Sequence, residues 1–244
     1  LIINCITIFF KGGDTLENVF SVKPIAYIYT DFDEKFGLPR QSGLIEKLTG
    51  RIVFEPEYRY AEALRELDGF SHIWLIWQFS ENVNAEFSPT VRPPRLGGNK
   101  RVGVFASRSP FRPNSLGLSA VRIEKIDYNC ENAPIIFVSG IDMKSGTPIF
   151  DIKPYIPVAD CIPDAAEGFT ADTKDYEIAV ECEKELLELL PEDKRDLLIE
   201  ILKNDPRPSY KADEQRVYGL SFAGYNISFE AQGEKLKVTE IEKL

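Results

Sequence analysis

His72-Ile-Trp-Leu-Ile-Trp-Gln-Phe79 is apolar on both alternating faces, the pattern of a strand buried in the middle of a sheet. Shorter runs at Val22–Tyr29, Arg51–Phe54, Arg101–Phe105, Leu116–Ile126 and Ile135–Ile141 predict further strands. Ala61, Leu64 and Leu67 recur at helical spacing within Tyr58–Leu67 and predict a short helix that ends before Gly69. Asp31 to Gly43 reads as a polar loop. Many strands, proline-rich connections and little helix predict a closed or nearly closed antiparallel barrel.

The pattern changes after Pro163. Ile178, Cys182, Leu186 and Leu189 predict a helix over Tyr176–Leu190. Pro191 opens a second helix striped by Leu197, Leu198, Ile201 and Leu202, and Asp205-Pro206 ends it. Short strands follow at Val217–Leu220, Tyr225–Glu230 and Lys235–Thr239. The expected fold class is mainly β: an antiparallel β-barrel over residues 21–162, with a small α+β C-terminal domain over 163–244. Residues 1–20 read as an N-terminal extension.

Between the strand-like runs lies Gly103-Val-Phe-Ala-Ser-Arg-Ser-Pro-Phe-Arg-Pro-Asn-Ser-Leu-Gly-Leu-Ser119. Pro110 and Pro113 fix φ and remove backbone donors, which predicts a rigid loop. Such a loop aims the forks of Arg108 and Arg112 at an anion. From Arg92 to Lys125 the chain carries +7, whereas the whole carries −10. A basic island in an acidic protein points to an anionic partner met at one face. A solvated loop paired with neighbouring acids would show the same charge run.

Other classes are disfavoured. The single histidine, His72, excludes multi-histidine metal sites, and the four scattered cysteines form no Cys-x-x-Cys, so no metal site is expected and the thiols are read as reduced. The apolar stretch Leu1–Phe10 is too short to span a bilayer. Neither a Gly-x-Gly-x-x-Gly run nor a phosphate-loop lysine motif is present.

Arg92-Pro-Pro-Arg-Leu-Gly-Gly98, the loop from Gly103 to Ser119, Asp142-Met-Lys-Ser-Gly-Thr-Pro148, Asp151-Ile-Lys-Pro-Tyr155 and Asp205-Pro-Arg-Pro-Ser-Tyr210 together resemble the TsaA-like family. The resemblance runs from about Val22 to Thr239 and includes the C-terminal domain that shorter members lack. It implies a cytoplasmic, homodimeric β-barrel methyltransferase that uses S-adenosylmethionine to methylate N6 of threonylcarbamoyl-adenosine in tRNA, next to the anticodon. A cofactor-sensing RNA-binding module without turnover, or a methyltransferase with another acceptor, is the alternative.

By the same resemblance the cofactor is expected at Arg40, Gln41 and Ser42, at Ser80 and Glu81, at Arg108 and Leu118, and at Asp142, Met143, Lys144 and Ser145. Ser42, Glu81 and Ser145 depart from the family's pattern, which leaves backbone contacts there. The acceptor nitrogen is urea-like and weakly nucleophilic, so a base helps. Asp142, Asp151, Tyr155 and Tyr210 are the candidates, the tyrosines better suited to orienting than to accepting a proton. Arg112 with Asn114, or Arg207, suits the threonine carboxylate, and Arg92, Arg95, Lys100 and Arg101 suit phosphates. His72, Trp74 and Trp77 read as structural residues in or beside the core.

Overall fold

The computed structural model describes residues 21–82, 86–93, 100–173, 176–207, 216–233 and 235–244. The extension 1–20, Arg95 and Tyr210 lie outside them.

Strands β1 (Ala26–Thr30), β2 (Thr49–Phe54) and β3 (His72–Gln78) are followed by the two-residue pair β4 (Thr90–Val91) and β5 (Val102–Gly103), then by β6 (Leu116–Asp127), β7 (Ile135–Ser139) and β8 (Thr147–Pro154). All but β4 and β5 join in a closed barrel in the order β1-β2-β7-β6-β3-β8, every neighbour antiparallel. Alternation sorts the side chains into an inside and an outside. Along β3, Ile73, Leu75 and Trp77 are at most 5% exposed, and they meet Ala26, Ile28, Ile52, Val121, Ile136, Val138 and Ile149 in the core. His72, Trp74 and Ile76 face outward and stay half-buried.

In the barrel, two local expectations are corrected and one strand is added. Tyr58–Leu67 does not form a continuous helix; the region holds 3-10 turns at Pro56–Tyr58, Ala61–Leu64 and Leu67–Gly69. Leu64 is the one residue of these turns sunk into the core, and Glu66 at φ 68 breaks the helical path. Arg101–Phe105 is strand only at Val102–Gly103, then a 3-10 turn. Strand β8, which closes the barrel, was not expected, because Pro148 and Pro154 mask it.

The second unit carries a sheet in the order β10-β11-β12-β9, formed by β9 (Ala179–Glu181), β10 (Val217–Phe222), β11 (Tyr225–Gln232) and β12 (Lys235–Lys243). Its helices are α2 (Lys184–Leu187) and α3 (Glu192–Lys203), with α1 (Pro157–Asp160) in the connection from the barrel. The helix expected over Tyr176–Leu190 is therefore replaced: Ala179–Glu181 pairs in parallel with Lys235–Lys237, and only Lys184–Leu187 is helical. The free sheet edge outbids the helical spacing, and the Glu181 carboxylate is tied to the Lys235 ammonium. Helix α3 does start after Pro191 and buries Leu197, Leu198, Ile201 and Leu202 as expected.

One hydrophobic cluster runs through both units. The segment between β1 and β2 joins them: Phe32 meets Phe222 with ring centroids 5.2 Å apart, and Phe36 stacks on Tyr218 and Phe229. Asp31 accepts from the Lys194 ammonium at 2.7 Å, and its carbonyl accepts from the Ala223 amide at 2.8 Å. Gly37 sits so close to Leu220 that a Cβ would fall 2.1 Å from Leu220 Cδ1, and its φ of 92 suits glycine besides.

Candidate active site

Four connections gather at one end of the barrel. The Gly43 amide donates to the Gly140 carbonyl at 2.9 Å, and the Ser145 amide donates to the Phe32 carbonyl at 2.7 Å, so the β1–β2 segment is laced to the β7–β8 turn. Lys144 on that turn donates to Glu81 beyond β3 at 2.6 Å. Lys35 reaches Asn82 at 3.4 Å, and the Asn82 carbonyl accepts from the Ser115 hydroxyl at 3.2 Å. Arg108 on the proline-braced loop donates to Gln41 at 2.8 Å. Residues from Arg40 to Ser145 are thus placed together by tertiary hydrogen bonds and not by proximity in sequence.

Asp142 is the chemical centre of this group. Its Oδ1 accepts from the Ser119 hydroxyl at 2.7 Å, and Ser119 in turn accepts from the Trp77 indole N–H at 2.9 Å. Burial pushes the carboxyl up to about 6, although the Ser119 hydroxyl, the amides of Ser42 and of Asp142 itself, and the Arg108 charge all favour the ionised form. A carboxylate with that value can take a proton near neutral pH and return it.

The other candidate bases lie elsewhere. Asp151 pairs with Ile76, which pairs with Leu118, so Asp151, Ile76 and Leu118 form a row on the outer wall. Asp151 is bridged to Lys153 at 2.9 Å and lines a cavity of about 430 Å³ with Tyr58 and Phe70. Tyr155 stands at the far end of β8, its ring 5.5 Å from Trp74 and 6.2 Å from His72. The side-chain hydrogen bond that Asp142 accepts comes instead from Ser119. Of the remaining cofactor candidates, Met143 is buried and its carbonyl accepts from Thr30, whereas Ser80 and Leu118 are exposed.

The basic candidates divide. Arg92, Lys100, Arg101, Arg108 and Asn114 are exposed. Arg101 braces Thr90, and Arg112 donates to the Ser107 carbonyl at 3.0 Å while lying over the Phe105 ring. Arg207 instead grips Asp205 through two bonds of 2.8 and 2.9 Å. Burial opposes ionisation of Asp205, but Arg207 and the Tyr176 hydroxyl outweigh it and hold the carboxyl below its ordinary range. The Asp205 carbonyl accepts from Arg40 at 3.0 Å, so the C-terminal unit touches the segment that carries Gln41 and Ser42.

Ser119 and Trp77 are site residues that the sequence reading missed. No local signal marks them, because their meeting depends on the β3–β6 register. Gln78, one residue on, is 4% exposed and its Oε1 has no partner among the described residues. A buried orphan acceptor beside Ser80 and Glu81 fits a ligand that brings amino or hydroxyl donors, as S-adenosylmethionine does. Among the described residues no cluster could hold a metal ion, and no helix is long and apolar enough to cross a membrane.

Known proteins share the sequence pattern and the fold of this chain. Residues 27–161 match the model of the tRNA-methyltransferase O N-terminal domain, and residues 174–244 match that of the TrmO C-terminal domain. The chain is 37% identical over 234 residues to the tRNA (adenine(37)-N6)-methyltransferase of Escherichia coli (strain K12), covering 91% of this chain and 98% of that one. It is 40% identical over 208 residues to a putative S-adenosylmethionine-dependent methyltransferase, RcsF, of Pseudomonas aeruginosa, covering 82% of this chain and 87% of the relative. A crystal structure of TrmO from P. aeruginosa superposes with a TM-score of 0.73 at 33% identity, over 92% of this chain and 97% of that one.

Proposed function

The chain belongs to the tRNA-methyltransferase O family and is an S-adenosylmethionine-dependent tRNA (adenine-N6)-methyltransferase acting at position 37, and we propose that its acceptor there is threonylcarbamoyl-adenosine, with Asp142 as the proton acceptor. The observation that carries the proposal is the half-buried Asp142 carboxyl, pushed up to about 6 at the barrel end where the Arg108 and Lys144 contacts converge.

When bound, the cofactor supplies a methyl group on a positively charged sulfur. The chain's work is to position and to handle one proton. Gln41 and Gln78 would offer amide partners for the cofactor's amine and diol, with backbone contacts at Ser42. Glu81, held by Lys144, would offer a carboxylate oxygen to the cofactor's amine or diol. Asp142 receives the proton that the acceptor nitrogen gives up, and above about pH 6 it is ionised and ready to do so. Arg112 with Asn114 suits the threonine carboxylate, and exposed Arg92, Lys100 and Arg101 suit phosphates, whose contribution weakens as salt rises. Residues 21–162 are assigned to the methyl-transfer barrel and 163–244 to a C-terminal domain that supports it.

The enzyme works as a cytoplasmic homodimer in this reading. Support comes from the outer row of Leu116 and Leu118, 42% and 55% exposed, and from Phe105 and Phe111 on the preceding loop, 73% and 42% exposed. Apolar exposure of this kind calls for a cover. Light scattering at micromolar concentration is expected to give the mass of two chains; the mass of one chain would contradict the assembly.

The function itself is tested by transfer of labelled methyl from S-adenosylmethionine to bulk tRNA from cells with and without the threonylcarbamoyl modification. Label is expected in the modified pool alone, with tRNA binding that falls with salt. Equal labelling of both pools would reject the acceptor.

A further inference from the structure

We propose that Ser119 is a positioning residue for methyl transfer: the Trp77 indole N–H holds its hydroxyl so that the single hydroxyl proton is committed to Asp142 Oδ1, and this fixes the orientation and acidity of that carboxylate. The inference rests on reading Asp142 as the proton acceptor.

The direction of the relay is set by chemistry. An indole N–H only donates, and a serine hydroxyl has one proton to give. With Trp77 Nε1 at 2.9 Å from Ser119 Oγ, the hydroxyl accepts there and its proton points to Asp142 Oδ1, 2.7 Å away. Water does not compete, since Ser119 is 1% exposed and Trp77 5%. The indole is clamped. Gly117 lies against its face, where a Cβ would fall 2.2 Å from the ring, and Phe79 packs with its centroid 4.3 Å away.

The groups acting on Asp142 come from several elements. Arg108 faces it from the proline-braced loop, the Ser42 amide from the β1–β2 segment, and its own amide from the turn. Lys144 on that turn is engaged with Glu81. Of the contributions that favour the ionised carboxylate, the Ser119 hydroxyl is the largest. Removing it therefore makes Asp142 a group that ionises later, with Arg108 and the two amides still in place.

The test is a carbon-13 carboxyl titration of Asp142 in the full-length chain, assigned with Asp142→Asn, alongside the pH profile of kcat. Ser119→Ala is expected to raise the Asp142 value by about one unit, the size of a hydrogen bond to a charged group. Trp77→Phe keeps an aromatic ring but frees the hydroxyl proton, so it gives a smaller rise. The double variant is expected to match Ser119→Ala alone, because Trp77 acts through Ser119. An unchanged value in Ser119→Ala, or a Trp77→Phe shift that adds in full to it, overturns the relay. Should Trp77→Phe fail to fold, Ser119→Ala decides alone. If the carboxyl value rises while the acid limb of kcat stays put, the relay stands and the assignment of Asp142 as base falls.

Discussion

Turnover falls by about 10²- to 10⁴-fold when Asp142 is replaced by asparagine, the range that loss of a general base produces. The substitution keeps the shape and an oxygen for the Ser119 hydroxyl to reach, so the loss reports the charge and the proton, not the packing. Wild-type kcat rises through about pH 6 and levels above it, because the carboxyl must be ionised to accept. The same residue acts on stability in the opposite sense. Its folded-state value is raised from 3.8 to about 6, so between these values the native chain binds more proton than the unfolded one. Stability contributed by the protonated group is present below pH 4 and lost as pH rises through 6. Asparagine cannot ionise, so the variant should be more stable than wild type at pH 7.5, by of order 2 kcal/mol, with the advantage gone at pH 4. Denaturant midpoints at the two pH values measure this. A variant that keeps wild-type turnover at saturating tRNA would remove Asp142 from the proton step.

The second large effect concerns Gly117→Ala. The added Cβ would lie 2.2, 2.4 and 2.6 Å from three atoms of the Trp77 ring. That ring is 5% exposed and sits in the barrel core, so it has nowhere to retreat. Overpacking of this severity costs about 3 kcal/mol, which lowers Tm by roughly 10 °C in a chain of this size. Gly69→Ala is the control, since nothing lies within 4 Å of a Cβ there; its Tm should stay within about 1 °C of wild type. A Gly117→Ala protein that melts with the control would show that the indole yields readily.

The difference between what the chain discloses and what it hides follows from range. Strand β3 was legible because Ile73, Leu75 and Trp77 alternate with residues that are also apolar, and α3 because its leucine stripe has helical spacing behind Pro191. Strand β8 was not, since its prolines contradict strand propensity and are tolerated only through the neighbours β1 and β3 supply. The stretch from Tyr176 to Leu190 has helical spacing, yet its strand forms by pairing with residues more than fifty positions later. At the site, the conjunction of Arg108 with Gln41 and of Glu81 with Lys144 joins residues that a motif resemblance had grouped without geometry. Ser119 was out of reach because Trp77 stands opposite Gly117, and the indole N–H meets a hydroxyl two residues further along β6.

The β1–β2 segment, seated between the barrel end and the C-terminal sheet, should behave unlike an ordinary loop in hydrogen exchange. A segment without regular structure usually loses its amide protons quickly, because nothing cooperative must open first. Here Phe32 and Gly37 are buried and the Gly43 amide is bonded to Gly140, so the slowest of these amides should exchange at the pace of the strands. Their protection should vanish together with that of α3 and β10, which makes this segment a built-in reporter of C-terminal undocking. Fast exchange at Gly43 with slow exchange in β10 would show that the segment opens without the C-terminal unit undocking, and would remove it as a reporter.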